Sequence, residues 1–115
     1  MSLIKKSKDK IVNFEFNKEY IKVITEKISS SDTTFIINSF KEMHPADAAD
    51  IIEHLSQEDR ENLIKLSNFK IDPSIFVELN EAIQTEITKY LSNENIVFIL
   101  KNLDSDDAIQ ILENL

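Results

Sequence analysis

Apolar residues recur through the second part of the chain with a step of twelve. One position of this series, Ser67, is polar. The position eight residues after each member is also apolar, and in most units so is the ninth, as in Ile51-Ile52. A fixed internal period is typical of folds built from stacked repeats. The apolar members of the series are Met43, Leu55, Leu79, Leu91, Leu103 and Leu115.

Each twelve-residue unit has room for one helix of about eight or nine residues and a turn of about three. Most apolar members are followed directly by a residue that commonly caps a helix, and in the third unit the cap is displaced to the residue before Pro73. Acids or amides three places after the caps, as at Asp47, Asp59, Asn95 and Asp107, resemble capping boxes. The predicted caps are His44, Ser56, Asp72, Asn80, Ser92 and Asp104.

Helices this short are marginal in water, so each must bury its apolar face against its neighbours. We therefore predict an all-α fold, a right-handed superhelix or solenoid of short helices that is armadillo-like. Apolar residues further upstream predict a longer helix from about residue 15 to 29, then a second helix after Ser29–Asp32. Residues 1–14 are expected to be a frayed lead-in. The whole chain, residues 1–115, is predicted to form one domain.

Composition supports helix and excludes several chemistries. The 115 residues contain no Gly and no Cys, which disfavours β-sandwiches, disulfides, thiolate metal sites and Gly-rich phosphate loops. No apolar run approaches the roughly 20 residues of a membrane span. His44 and His54 lack the spacing of a helical metal pair, and we expect a cap at the first and a helix-end cation at the second. We predict that the chain is not an enzyme.

Charge is distributed unevenly between the two ends of the chain. Residues 1–30 hold seven Lys and four acids, a net +3, whereas residues 31–115 hold six Lys or Arg and seventeen acids, a net −11. An acidic body repels nucleic-acid phosphates and attracts cations or basic partners. We therefore expect no nucleic-acid binding.

Two segments resemble the N-terminal domain of the MgtE magnesium transporters. Residues 43–55 read MHPADAADIIEHL and continue as SQEDR, which is similar to the (L/I)HPAD-x-AD-(L/I)(L/I)-E-x-L element of that family. Residues 103–115 read LDSDDAIQILENL, which is similar to its L-x-x-DDA-x-x-(L/I)L-E-x-L element. The resemblance covers roughly residues 32–115.

The resemblance implies a cytosolic regulatory domain that senses magnesium. In the family this domain is followed by paired CBS domains and a dimeric transmembrane channel, and its carboxylates share Mg²⁺ with the CBS domains. We therefore expect the natural protein to continue past residue 115 and to act as a homodimer in the membrane, with this domain on the cytosolic side. The expected partners are Mg²⁺ and the CBS domains of the same polypeptide or its dimer mate.

The resemblance also indicates which carboxylates bind the metal. Asp106 matches an acidic position of the family and is the first candidate, with Asp107 beside it, although helix capping is the favoured interpretation of Asp107. A second group, Asp47, Asp50 and Glu53, is spaced to share one helix face, for which a solvated surface is the alternative.

Two positions depart from the family pattern. Gln110 and Ser74 stand where members of the family carry further acids, so the cation site is expected to be weaker in this chain.

A different class of function fits the same periodicity. Short-helix repeats resembling those of the flagellar motor switch protein FliG act as protein-binding scaffolds, in which helices stack between subunits. The alternative hypothesis is therefore a protein-protein interaction scaffold. The sequence that follows residue 115 would distinguish the two, because FliG-type chains continue into further helical domains.

Overall fold

The computed structural model describes the backbone of residues 10–66 and 69–113, and the side chains of residues 18–66 and 69–113. All regular structure within these ranges is α-helical, so the predicted all-α class is confirmed. The helices are α1 Lys10–Ser29, α2 Thr33–Glu42, α3 Pro45–His54, α4 Gln57–Ile64, α5 Pro73–Phe76, α6 Glu81–Thr88, α7 Asn93–Lys101 and α8 Ser105–Glu113.

The predicted caps set the helix starts. Each of the six side chains accepts a backbone N–H two or three residues further on, and the helix begins at the next residue. The distances run from 2.8 Å at Asp72 to 3.2 Å at His44. His44 is thus confirmed as a cap. His54 is the last residue of α3, where its Nδ1 lies 2.8 Å from the carbonyl oxygen of Asp50.

Two boundaries differ from the predictions. Helix α1 begins at Lys10, five residues before the predicted start, and the predicted lead-in over residues 1–14 lies mostly outside the described residues. Helix α5 has four residues, not eight or nine. Pro73 disfavours helix in the residue before it and so fixes a late start. The next cap, Asn80, keeps its place in the period and leaves no room for a longer helix.

The deepest repeating position lies eight residues after each member of the twelve-residue series. Its side chains are no more than 5% exposed, whereas Met43, Leu91 and Leu103 of the series itself are only half-buried. Ser67 and Leu115 lie outside the described residues. The period therefore marks a continuous core column made of Ile51, Leu63, Ile75, Ile87, Ile99 and Ile111.

Helices two apart along the chain pack on each other. Helix α3 contacts α5, α5 contacts α7 and α4 contacts α6, while α1 lies against α2, α3 and α4. The longer-range bonds of Arg60, Glu53 and Asn95 follow the same rule, because their partners are 24 to 27 residues away, about two units. Helices α3 to α7 thus each contact the helix two places away, whereas α8 contacts its direct neighbour α7.

Arg60 is the most extensively bonded of these side chains. It is 9% exposed, and its Nε and Nη2 donate to Glu86 at 3.0 and 2.9 Å. Its Nη1 donates to the carbonyl oxygens of Ile52, Glu53 and Leu55, at 2.6 Å for Leu55. These carbonyls belong to the last turn of α3 and to Leu55 directly after it, where few helical N–H groups remain to bond them. One guanidinium therefore closes α3 and ties α4 to α6.

Asn95 joins α7 to the segment before α5. Its Oδ1 accepts the N–H of Ile71 at 3.1 Å and its Nδ2 donates to the Ile71 carbonyl at 3.4 Å. Asn95 is buried, so both bonds replace water that the backbone of Ile71 has lost. The capping-box prediction for Asn95 is therefore wrong: its amide is used by the neighbouring loop, and only its own N–H contacts the cap, Ser92.

We predict that Arg60→Met destabilises the domain by about 3 kcal/mol, because it removes the guanidinium donors from the carbonyls at the end of α3. It also leaves the carboxylate of Glu86, which accepts the hydroxyl of Tyr90 as well, without its charged partner. The matched control is Lys65→Met, which removes an exposed pair with Glu61 and should change stability by less than about 1 kcal/mol. Urea unfolding measures both. Equal effects of the two substitutions would contradict the role given to Arg60.

Candidate metal site

Three carboxylates lie at the start of α8. Asp104 caps the helix by accepting the N–H of Asp107 at 3.1 Å, and Asp106 and Asp107 lie in the first turn. Asp104 and Asp106 are exposed, whereas Asp107 is half-buried. The exposed N–H groups of a helix start stabilise nearby negative charge, so this is a place where several acids can be kept together.

Asp104 and Asp106 lie close enough to Asp107 to affect its ionisation. The pKa of Asp107 is raised above its ordinary value, first by the negative charge of Asp104. Partial burial, a hydrogen bond to the Asp104 side chain and the charge of Asp106 add to the rise. Each cause disfavours the ionised form. A cation placed here would therefore relieve repulsion that the fold imposes.

Two of these acids, Asp104 and Asp107, line grooves, whereas Asp106 lines neither of the two. Asp104 and Asp107 line a groove of about 470 Å³ together with Asp72 and Ser74, over a floor that includes Phe98. Asp107 also lines a smaller pocket of about 150 Å³ on its other side, next to Glu81 and Gln110. Asp107 is thus the carboxylate common to both.

The two departures from the family pattern border the same grooves. Ser74 lies in the larger groove and donates its hydroxyl hydrogen to Asp72 at 2.6 Å. Gln110 lies in the smaller pocket, where its Nε2 is 3.5 Å from Glu81. A serine and an amide thus occupy the positions where further acids would surround Asp107.

The second candidate group has other contacts. Asp47 is exposed in the first turn of α3. The carboxylate of Asp50 lies 3.5 Å from Nδ1 of His54, and the carboxylate of Glu53 accepts the N–H of Asn80 at 2.7 Å. Glu53 therefore connects the end of α3 to the start of α6, which is a structural role.

No group of three or more His, Asp or Glu side chains is arranged to hold a metal ion by itself within residues 18–66 and 69–113. Mg²⁺ is usually held by one or two carboxylates with water completing its shell. The start of α8 therefore fits half of a magnesium site and does not fit a complete one. None of the helices in the described part of the chain is both long and apolar enough to cross a membrane.

Sequence reasoning missed the neighbours of Asp107. Asp104 and Asp72 were predicted only as helix caps, and Glu81 was not singled out. Asp72 lies 35 residues before Asp107, so only the packing of α5 near α8 brings the two to one groove. The one signal in the sequence was that Asp72 and Asp107 are separated by about three of the twelve-residue units.

The fold and this surface define a helical repeat domain with a carboxylate-lined groove. The family model described as the MgtE intracellular N domain matches residues 43–115, more than half of the chain. The chain belongs to this family, and the predicted resemblance is confirmed. Domains of this family are parts of magnesium transporters, and the family is not an enzyme family. Comparisons with curated proteins and with solved structures gave no match.

We predict that Asp104→Asn lowers the pKa of Asp107, because it removes the largest cause of the rise while asparagine still caps the helix. Asp106→Asn should lower this pKa less. A carbon-detected NMR titration of the Asp107 carboxyl measures both changes. An unchanged pKa in the Asp104 variant would contradict the repulsion.

The raised pKa of Asp107 also determines how the stability of the domain changes with pH. Folding favours the protonated form of Asp107, so its contribution to stability is present below the ordinary pKa of 3.8 and is lost as pH rises through the raised value. Asp107→Asn should therefore gain stability relative to the parent chain as pH rises through this window. Urea unfolding of both chains at several pH values tests the sign. A variant that loses stability relative to the parent chain as pH rises would contradict the prediction.

Proposed function

We propose that this domain is the cytosolic, magnesium-sensing regulatory domain of an MgtE-type transporter. It docks on the CBS domains of the same polypeptide or of the dimer mate through Mg²⁺ held between carboxylates of both. The observation that carries the proposal is the group of Asp104, Asp106 and Asp107, which offers exposed carboxylates in half of a site. Family membership supports the same role.

Asp106 is the first ligand in this proposal. It is exposed in the first turn of α8, so its carboxylate is free to meet a partner domain. Asp107 is the second ligand, and Asp104 adds negative charge beside it. When bound, Mg²⁺ supplies the positive charge that lets two acidic surfaces meet. The carboxylates of this chain attract the ion and leave room for water and for the ligands of the partner.

The response to falling magnesium follows from charge. Residues 31–115 carry a net −11, and an acidic partner surface is repelled until divalent ions lie between the two. Loss of the ions separates the domains, which is the signal passed to the channel. Carboxylate and water ligands suit Mg²⁺, Mn²⁺ and Ca²⁺ alike, so the types of ligand do not by themselves select one of these ions.

The arrangement of repeats suits this role. We infer that the helices form the right-handed, armadillo-like superhelix expected from the sequence, which the packing of every second helix supports. Asp104 and Asp106 at the start of α8 are exposed, so their carboxylates are available to another domain.

We predict that in the intact transporter about 10 mM Mg²⁺ protects the connection between this domain and the CBS domains from proteolysis, since shared ions hold the domains together. Asp106→Asn should shift the protecting Mg²⁺ concentration upward by about tenfold, because one ligand of the bridge loses its charge. Limited proteolysis followed by mass spectrometry measures the shift.

The matched control is Asp47→Asn, an exposed acid in the first turn of α3, which should leave the protecting concentration unchanged. Circular dichroism confirms that each variant is folded. Cleavage that ignores Mg²⁺ in the folded parent protein would overturn the proposal. Equal shifts of the protecting concentration in the two variants would show that Asp106 acts through general surface charge and would overturn its assignment as a ligand.

A further inference from the structure

Two apolar side chains break the repeat pattern on the outside of the domain. The position seven residues after each member of the twelve-residue series is polar in five of the six units and is Phe98 in the other. The position ten residues after each member is charged in five units and is Val77 in the other. The polar side chains are Asp50, Asn62, Ser74, Glu86 and Gln110 at the first position, and the charged ones are Glu53, Lys65, Lys89, Lys101 and Glu113 at the second. Phe98 and Val77 thus stand where the other repeats carry polar or charged side chains.

Both positions stay accessible to water throughout the stack. None of the polar or charged side chains at these two positions is buried, including those of the early units, which have later helices packed on them. The exposure of Phe98 and Val77, 44% and 37%, is therefore a property of the repeat position and does not depend on the units that follow. One exposed apolar side chain is ordinary in a folded protein. Two that share a surface otherwise kept polar indicate a binding site.

Phe98 and Val77 share the groove of the candidate metal site. They line the groove of about 470 Å³ to which Asp104 and Asp107 also contribute. Leu103, which is half-buried, adds further apolar surface to the same groove. Val77 also lines the smaller pocket on the other side of Asp107. A partner that reaches the carboxylate of Asp107 through this groove must therefore cover apolar surface as well.

We propose that Phe98 and Val77 form an apolar anchor on which the partner domain docks beside the shared Mg²⁺. This inference rests on the proposed function, since the partner is the CBS domain that completes the ion's ligands. That domain presents an apolar side chain, which packs against the anchor, next to oxygen ligands for the ion. The groove calls for both features: its carboxylates need a cation between them and an acidic partner, and its apolar side chains are stabilised when water is excluded.

The anchor supplies binding that the carboxylates lack. Ser74 and Gln110 limit the charge around Asp107, so the ion alone holds the partner weakly. Aromatic side chains at the centre of an interface often carry a large share of the binding energy. Covering Phe98 also removes water from the neighbouring carboxylates, and the attraction between a carboxylate and an ion rises as the local dielectric constant falls. The apolar contact and the ion bridge therefore strengthen each other.

Photo-crosslinking in the intact transporter tests where the partner docks. The photoreactive amino acid p-benzoylphenylalanine in place of Phe98 keeps an aromatic side chain in the groove. Illumination in about 10 mM Mg²⁺ should join it to a CBS domain, as identified by mass spectrometry, and EDTA should lower the yield by about fivefold or more. The same amino acid in place of Val97, which is 51% exposed but lines none of the described grooves, should give little product.

Phe98→Gln tests how much the anchor contributes to docking. Glutamine is the residue at this repeat position in α8, so the variant is expected to fold, and it adds no charge beside Asp107. The Mg²⁺ concentration that protects the connection to the CBS domains from proteolysis should rise by about threefold. Val97→Gln removes an exposed apolar side chain from the same helix and should leave that concentration unchanged. Circular dichroism establishes that both variants are folded.

The outcomes separate the anchor from the ion bridge. If Mg²⁺ protects the parent transporter but position 98 gives no crosslink, or Phe98→Gln needs no more Mg²⁺ than the parent, the anchor is overturned and the proposed function stands. A crosslink to a CBS domain with equal yield in Mg²⁺ and in EDTA would support the anchor and overturn the magnesium bridge. A crosslink to a second copy of this domain would overturn the choice of partner. Absence of both protection and crosslink would overturn both proposals.

Discussion

The ends of short helices are the constraint on which this structure depends. An α-helix leaves four N–H and four carbonyl groups without partners at its ends, so a helix of eight to ten residues has more unpaired groups than internal bonds. Seven cap side chains of the described residues, with Asp32 at the start of α2 among them, supply acceptors at the helix starts. Arg60 supplies a donor where α3 ends. Without these bonds the apolar column alone would have to offset the loss of water from many backbone groups.

The same constraint explains how the repeats are joined. Glu53 accepts the N–H of Asn80, and Gln84 donates to the carbonyl of Phe76, so that polar side chains of one unit complete the backbone of another. Asn95 does this twice at Ile71. These bonds fix the register between units, while the apolar column provides most of the driving force. The fold is thus a set of helices that complete each other's ends.

The extent to which the sequence predicted this structure follows from the distance between partners. Caps such as Ser56 and Ser92 bond residues three places away, so their pattern is visible locally. The bonds of Arg60 to Glu86 span 26 residues and give no local signal. Asp106 was identified through family resemblance, whereas the groove around Asp107 depends on packing between α5 and α8. The short α5 followed from Pro73, whose effect on helix length was not anticipated.

Helix ends also link fold to function in this domain. The cap at Asp104 is needed to start α8, and it brings a carboxylate beside Asp106 and Asp107. The resulting repulsion is the condition that a cation can relieve, so the requirement for capping and the proposed affinity for Mg²⁺ have one origin. Ser74 and Gln110 limit the charge around Asp107, which favours weak binding that a partner domain must complete.

The most direct measurement is paramagnetic NMR broadening of this chain by Mn²⁺, which prefers the same oxygen ligands as Mg²⁺. The account predicts that the amides of residues 104–107 broaden first, and that excess Mg²⁺ reverses the effect. Broadening centred on residues 47–53, or spread evenly over the acidic surface, would contradict the assignment of the metal site to the start of α8.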